Sequence, residues 1–241
     1  MTTLYIDGSK GLSGNTLIGA FISLGLDLEI LNQAVSSILN EDDYKLVLRE
    51  QNSEGMRFVY FNTIAVSSEN YYDKLSAIDV LAGIEESSLD GEIKKGTLRI
   101  LHALFHSKAE AHKIALKQVD FHYEGMIDTI IDAIGFSLGC KYFNVQQVWV
   151  NTLNTGYGKI SLPNKELNIP APMTEILLHG YPTFQNNLSG ELITPTGASI
   201  VNAFAAYSDN FPENVTVRRG YGLPKEDSDE SSAISIAIGE A

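Results

Sequence analysis

The alternation of apolar and polar positions divides the chain into short strands and longer helices. Residues 2–8 (TTLYIDG) read as a short buried strand that ends at Asp7. A loop carrying Gly8, Gly11 and Gly14 follows. Segments 14–25 and 27–39 space their apolar residues as helices, with Asp27 as N-cap of the second. Segments 43–52 and 56–67 alternate with period two around Ser53-Glu54-Gly55, which predicts a hairpin. Helical spacing returns over 71–84 and 89–115. In the latter, Leu98, Leu101, Phe105 and Ala109 share a stripe, and His112 at its end reads as a core histidine. Residues 125–143 predict a further helix and 145–154 a strand. Residues 156–172 are rich in turn formers, and 172–180 predict a short helix opened by Pro172 and closed by Gly180. Residues 190–208 read as a loop feeding a helix. Segments 214–222 and 233–240 read as closing strands around the acidic loop 224–232, which is expected to be mobile and solvated. There is no internal repeat. The mixture predicts an α/β (or α+β) class: a mixed sheet with flanking helices, in one domain over 1–241. A small subdomain around 41–90 stays open.

Composition narrows the function classes. The 241 residues are ample for a core, and 44% hydrophobic with 20% charged residues is ordinary for a soluble globular chain. No apolar run approaches the ~20 residues that span a bilayer, and no signal-peptide pattern opens the chain. The expectation is a cytoplasmic protein with no membrane partner. Seventeen basic against 30 acidic residues give a net charge of -13, which repels nucleic acid. A phosphorylated ligand would have to be held by local N–H groups. The single cysteine, Cys140, excludes an intrachain disulfide and reads as a small buried hydrophobe.

Three constellations carry candidate chemistry. In DFHYEGMIDTIIDAIG, Asp128 and Asp132 are one helical turn apart and share a face, which Gly135 and Gly139 continue. Asp120, His122 and Glu124 stand just before that helix. Convergent carboxylates and an imidazole suit a divalent ion or acid–base chemistry. A solvated acidic face with acids complementing the helix dipole reads the same residues without a site. Second, His102, His106 and Glu110 share a face of another helix, for which solvation is the better reading. Third, in GELITPTGASIV, Thr194 can cap a helix beginning at Pro195, leaving N–H groups at Thr196 and Gly197 for an anion or for an ordinary cap. Tyr221 in RRGYG offers a ring for stacking. No Walker, GxSxG, HExxH or Cys-His zinc pattern is present.

In their order, the blocks LYIDGSKGLSGNTLIGAFISLGLDL, FHYEGMIDTIIDAIG, NTLNTGYGKISLPNKELNIPAP, SGELITPTGAS and RRGYG resemble one family, the LarC-type nickel insertion proteins. The resemblance runs over nearly the whole chain, and GELITPTGA with Pro170-Ala171-Pro172 is its closest part. It implies insertion of nickel into a pyridinium bis-thiocarboxylate mononucleotide, building the nickel-pincer cofactor of lactate racemase. That reaction is CTP-dependent and needs Mg or Mn. It implies a lyase-type nickel chelatase whose CTP-binding C-terminal domain is absent from this chain and would act as a separate partner. It assigns metal ligation to Asp7, His122, Glu124, Asp128 and Asp132, and catalysis to His122 and Asp128. Nucleotide binding falls to Gly11, Ser13, Gly14, Asn15, Thr194, Thr196, Gly197 and Tyr221. A homo-oligomer is left open. The chain departs from the family pattern at Gly8, Lys10, Asp120, Tyr123, Ile114 and Asn164, and has Asn15 where the family carries an acid. The alternative is therefore a non-catalytic paralogue that binds metal or nucleotide, or serves as an interaction domain.

Overall fold

A computed structural model describes residues 1–66, 74–162, 165–210 and 217–240. Parts of the expected elements at 67, 71–73 and 214–216, and Asn164, lie outside these residues. The chain opens with strand β1 (Thr2–Asp7), then helices α1 (Gly14–Ser23) and α2 (Leu28–Ser36). Asp27 caps α2 through the Glu29 amide, as expected. A hairpin of β2 (Tyr44–Ser53) and β3 (Met56–Ala65) follows. It turns at Glu54 and Gly55, both with positive φ, the geometry a two-residue hairpin loop needs. Next come β4 (Lys74–Ser76), α3 (Ala77–Glu86), the long α4 (Gly91–His112), β5 (Asp120–His122) and α5 (Tyr123–Tyr142). The chain continues through β6 (Gln147–Val150), β7 (Leu153–Asn154), β8 (Lys159–Leu162), β9 (Lys165–Asn168), α6 (Pro172–Leu177) and β10 (Thr183–Phe184). It closes with α7 (Pro195–Phe204), β11 (Ala205–Tyr207), β12 (Val217–Leu223) and β13 (Ile234–Glu240).

The class is α/β, built on a mixed seven-stranded sheet ordered β11-β6-β1-β13-β12-β3-β2. Chain start and chain end meet at its middle: β1 lies antiparallel to β13 and parallel to β6. The hairpin belongs to the same sheet through parallel pairing of β3 with β12. Helix α1 lies on β12 and β3, α5 packs on α1, and α4 covers α5. The core follows these contacts, with Leu4, Ile6, Ile236 and Ile238 from the sheet meeting Leu17, Ile18 and Phe21 of α1 and Ile127, Ile131 and Ile134 of α5. Cys140 is buried, as its apolar setting predicts. Among the described residues no helix is long and apolar enough to cross a membrane.

Local differences from the sequence reading have local causes. His112 is exposed, not core: α4 ends there and Lys113 adopts a left-handed conformation, so the apolar stripe runs out one turn earlier, at Ala109. His102, His106 and Glu110 are solvated, as expected. The segment 190–208 is helical only to Phe204. Ala205–Tyr207 become a strand because the edge of β6 offers unpaired backbone groups there. The turn-rich stretch holds a small hairpin of β8 and β9, and the strand expected over 145–154 is two, β6 and β7.

Candidate functional site

The glycine loop after β1 is tied to two distant segments. Asp7 accepts hydrogen bonds from the Ser9 amide (3.0 Å) and from Asn151 Nδ2 (2.8 Å). Asn151 Oδ1 in turn accepts a hydrogen bond from the Gly8 amide at 2.7 Å. Burial pushes the Asp7 carboxyl up, but these donors and Lys10 outweigh it and hold its pKa below the usual carboxylate range. Further on, the Leu12 amide donates to Leu192 (2.8 Å) and the Thr194 amide to Leu12 (3.0 Å). The loop therefore lies against the segment that opens α7. Gly197 permits this: a Cβ there would strike the Leu12 carbonyl. Thr194 caps α7 through the Gly197 amide at 3.1 Å, so one of the N–H groups considered for an anion is already used.

The loop ends at α1, and α1 begins directly on the acidic pair of α5. Gly14 abuts Asp132 so closely that any side chain there would collide with the carboxyl group. Gly135 and Gly139 seat Ile18 and Phe21 in the same way, so the acidic face of α5 is the face α1 packs on. That excludes the solvated reading for Asp132, which is 2% exposed. Asn15 Nδ2 donates to Asn62 Oδ1 (3.2 Å) and to Asp128 Oδ1 (3.4 Å). Among the described residues, Asn15 Oδ1, Asp132 Oδ1 and Thr63 Oγ1 are buried without a hydrogen-bond partner. Asn15 and Thr63, but not Asp132, line a cavity of about 520 Å³ together with Asn62, Glu124 and Asp128 among others.

The electrostatics of the pair are unfavourable for bare carboxylates. Burial raises Asp128, against the hydrogen bond from Asn15. Burial, and then the charge of Asp128, push Asp132 well above its ordinary value. A divalent cation would supply the missing charge and partner the orphaned oxygens. The donors facing the cavity are oxygens, which fit a hard cation such as Mg or Mn better than nickel.

The remaining candidates lie apart from this cluster. Asp7 and His122 do not line the cavity. His122 is exposed and pairs through its backbone with Lys74, while Asp120 forms an ion pair with Lys74 Nζ at 3.0 Å. Among the described residues no three His, Cys, Asp or Glu side chains are grouped to hold a metal ion. Ser13 caps α1 through Thr16, and Thr196 is buried at the start of α7. Tyr221 stacks on Phe58, with ring centroids 4.9 Å apart. Gly220 and Gly222 face α1, so alternation along β12 turns Tyr221 to the other side of the sheet, away from the glycine loop. Three residues were missed from sequence: Asn62 and Asn151, each a lone polar group whose partners are far off in the chain, and Glu191. Glu191 is half-buried with an unpartnered Oε1, and burial raises its pKa. Its position inside GELITPTGA was the available signal.

Comparison with known proteins gives a consistent answer. The sequence pattern of the family described as nickel insertion protein matches residues 4–240. Proteins named pyridinium-3,5-bisthiocarboxylic acid mononucleotide nickel insertion protein, from two strains of Desulfitobacterium hafniense, are each 30% identical over 240 residues. Those alignments cover 100% of this chain and 59% of each relative, so the chain spans less than two thirds of their length. No solved structure matches.

Proposed function

This chain belongs to the nickel insertion protein family, and on that basis we propose that it takes part in inserting nickel into a pyridinium bis-thiocarboxylate mononucleotide. The reaction would proceed with CTP and with Mg or Mn, in the cytoplasm, on the way to the nickel-pincer cofactor. One observation supports a metal role for this chain's own residues. At the start of α1, Asn15 donates to Asp128 and Gly14 abuts Asp132, and Asn15 Oδ1 and Asp132 Oδ1 are buried without a hydrogen-bond partner. In this reading Asp128, Asp132 and the Asn15 carbonyl hold a hard divalent cation, and Glu124 guards the cavity mouth. His122 sits six residues before Asp128, about 9 Å along the axis at 1.5 Å per residue. There it is the imidazole that meets nickel as the substrate metal, or takes the proton that nickel replaces on the ring carbon. Asp7 and the loop Gly11–Asn15, with Thr194–Gly197, border the nucleotide.

A second reading, a non-catalytic paralogue, is favoured by the neutral Asn15 at the family's acidic position. Calorimetric titration tests the metal site. Manganese binding with a dissociation constant on the order of micromolar is expected. Asp128→Asn should weaken it about tenfold or more, and Asn15→Asp should tighten it. No heat with manganese or nickel, or heat indifferent to Asp128→Asn, overturns the site. Mass spectrometry of the mononucleotide after incubation with nickel and CTP separates the enzyme from the paralogue.

A further inference from the structure

Helix α4 carries a pair of side chains that neither the core nor the acidic cavity uses. Its inner face is fixed by packing, with Ile100, Leu101, Leu104, Phe105 and Ala109 buried. His102 and His106 stand on the outer face, both exposed. They are four residues apart, about 6 Å of helix. Their rings lie 6.1 Å apart with planes inclined by 23°. Among the described residues neither imidazole is engaged in a hydrogen bond or an ion pair, and each ring stacks on the other.

The charges around the pair leave room for a cation. Between Leu98 and Glu110 the basic residues besides the pair are Arg99 and Lys108, and both are turned elsewhere. The Arg99 guanidinium lies 4.7 Å from the centroid of the Phe204 ring and donates to the Ala203 carbonyl. The Lys108 ammonium lies 3.7 Å from the centroid of the Phe121 ring and donates to the Asp120 carbonyl. The carboxylate of the same stretch, Glu110, is exposed and follows His106 by one turn, on the pair's own face. Two imidazoles one turn apart on a packed helix form a bidentate chelate whose backbone is ordered before the ion arrives, so binding has only two side chains to fix. Because both side chains are exposed, rotation alone brings a nitrogen of each within the ~2.1 Å of a metal–imidazole bond. Imidazole nitrogen suits nickel, copper and zinc and is a poor partner for Mg or Mn, the reverse of the oxygens around Asp128.

We propose that His102 and His106 form a second metal site, a two-imidazole seat for nickel on the outer face of α4. The chain supplies two donors and water fills the other positions, so the ion is held loosely and exchanges readily. Such a seat suits the capture of a metal ion rather than its burial. The choice of nickel among the borderline ions rests on the family reading, whereas the chelate stands without it and without the acidic cavity. Calorimetric titrations with nickel chloride and with manganese chloride test the site in the unchanged chain, in His102→Ala/His106→Ala and in Asp128→Asn. The paired histidine variant should lose one equivalent of nickel, bound with a dissociation constant on the order of micromolar. Its manganese titration and melting temperature should not change, because both positions are exposed. Either single variant should weaken that binding event about tenfold or more, since one imidazole is no chelate. Asp128→Asn should retain it. The proposal is overturned if the paired variant binds as many nickel ions as the unchanged chain, if one histidine alone keeps full affinity, or if Asp128→Asn removes every nickel event. Zinc binding at the pair without nickel binding overturns the assignment of nickel.

Discussion

At the residue scale, the acidic pair was legible because two carboxylates one turn apart on an apolar helix mark a face. The sequence left open whether water or protein covers that face. Gly14 answered it, since only a residue without a side chain lets α1 start on Asp132. The same stretch placed His122 near the pair in sequence, yet its ring is exposed and forms no cap hydrogen bond. Burial and metal preference can therefore be separated at this position. His122→Ala should shift unfolding by no more than about 0.5 kcal/mol, the usual scale for an exposed site. Nickel affinity should fall while manganese affinity holds, because imidazole suits nickel and oxygen donors suit manganese. Paired calorimetric titrations and a thermal melt check this. A large loss of thermal stability would mark His122 as a packing residue, and equal loss of both metals would deny it a nickel-specific role.

At the element scale, α5 is the helix whose reading changed most. It carries buried residues around most of its circumference, from Met126 to Cys140, because α1, α2, α4 and α7 all pack on it. The sequence showed one acidic face continued by Gly135 and Gly139, but not the neighbours that cover it. Enclosing Asp132 has a thermodynamic consequence. Its folded pKa lies well above 3.8 through burial and the Asp128 charge. Between the unfolded and folded values the native state keeps a proton that the unfolded chain has released. By linkage, stability falls as pH rises through that window, and is fully retained only below about 3.8. In chelator-treated protein, Asp132→Asn should therefore flatten the decline of the melting temperature between pH 5 and 8. It should raise the melting temperature at pH 8, each 1 kcal/mol recovered reading as about 2–4 °C for a chain of this size. Melts of both proteins across that range decide it. A variant that melts lower at pH 8, with an unchanged slope, would mean the carboxyl contributes a hydrogen bond the amide cannot replace.

At the scale of the whole molecule, the strands could be read one at a time while their order could not, because period-two alternation carries no record of the partner. The consequence is a sheet closed by its last strand. β13 pairs through Ser235–Glu240 with β1 on one side and through Ile234–Gly239 with β12 on the other, and places Ile234, Ile236 and Ile238 in the core. Without it, β1 keeps only β6 as a partner, and β12 keeps only its short pairing with β3. The Asp7 loop hangs from the end of β1, and α1 rests on β12, so the candidate site depends on an element more than 200 residues away in sequence. Ending the chain at Ala233 should abolish cooperative unfolding, since two adjacent strands lose their backbone partners and a buried apolar row is removed. Manganese binding should go with it. Shortening the acidic loop 224–232, whose residues are mostly exposed, should by contrast leave the melt cooperative and the metal titration intact. Circular dichroism melts of the two variants test this contrast directly. A cooperative transition in the chain ending at Ala233 would show that the sheet holds without its central strand, and that the site is organised by the helices alone.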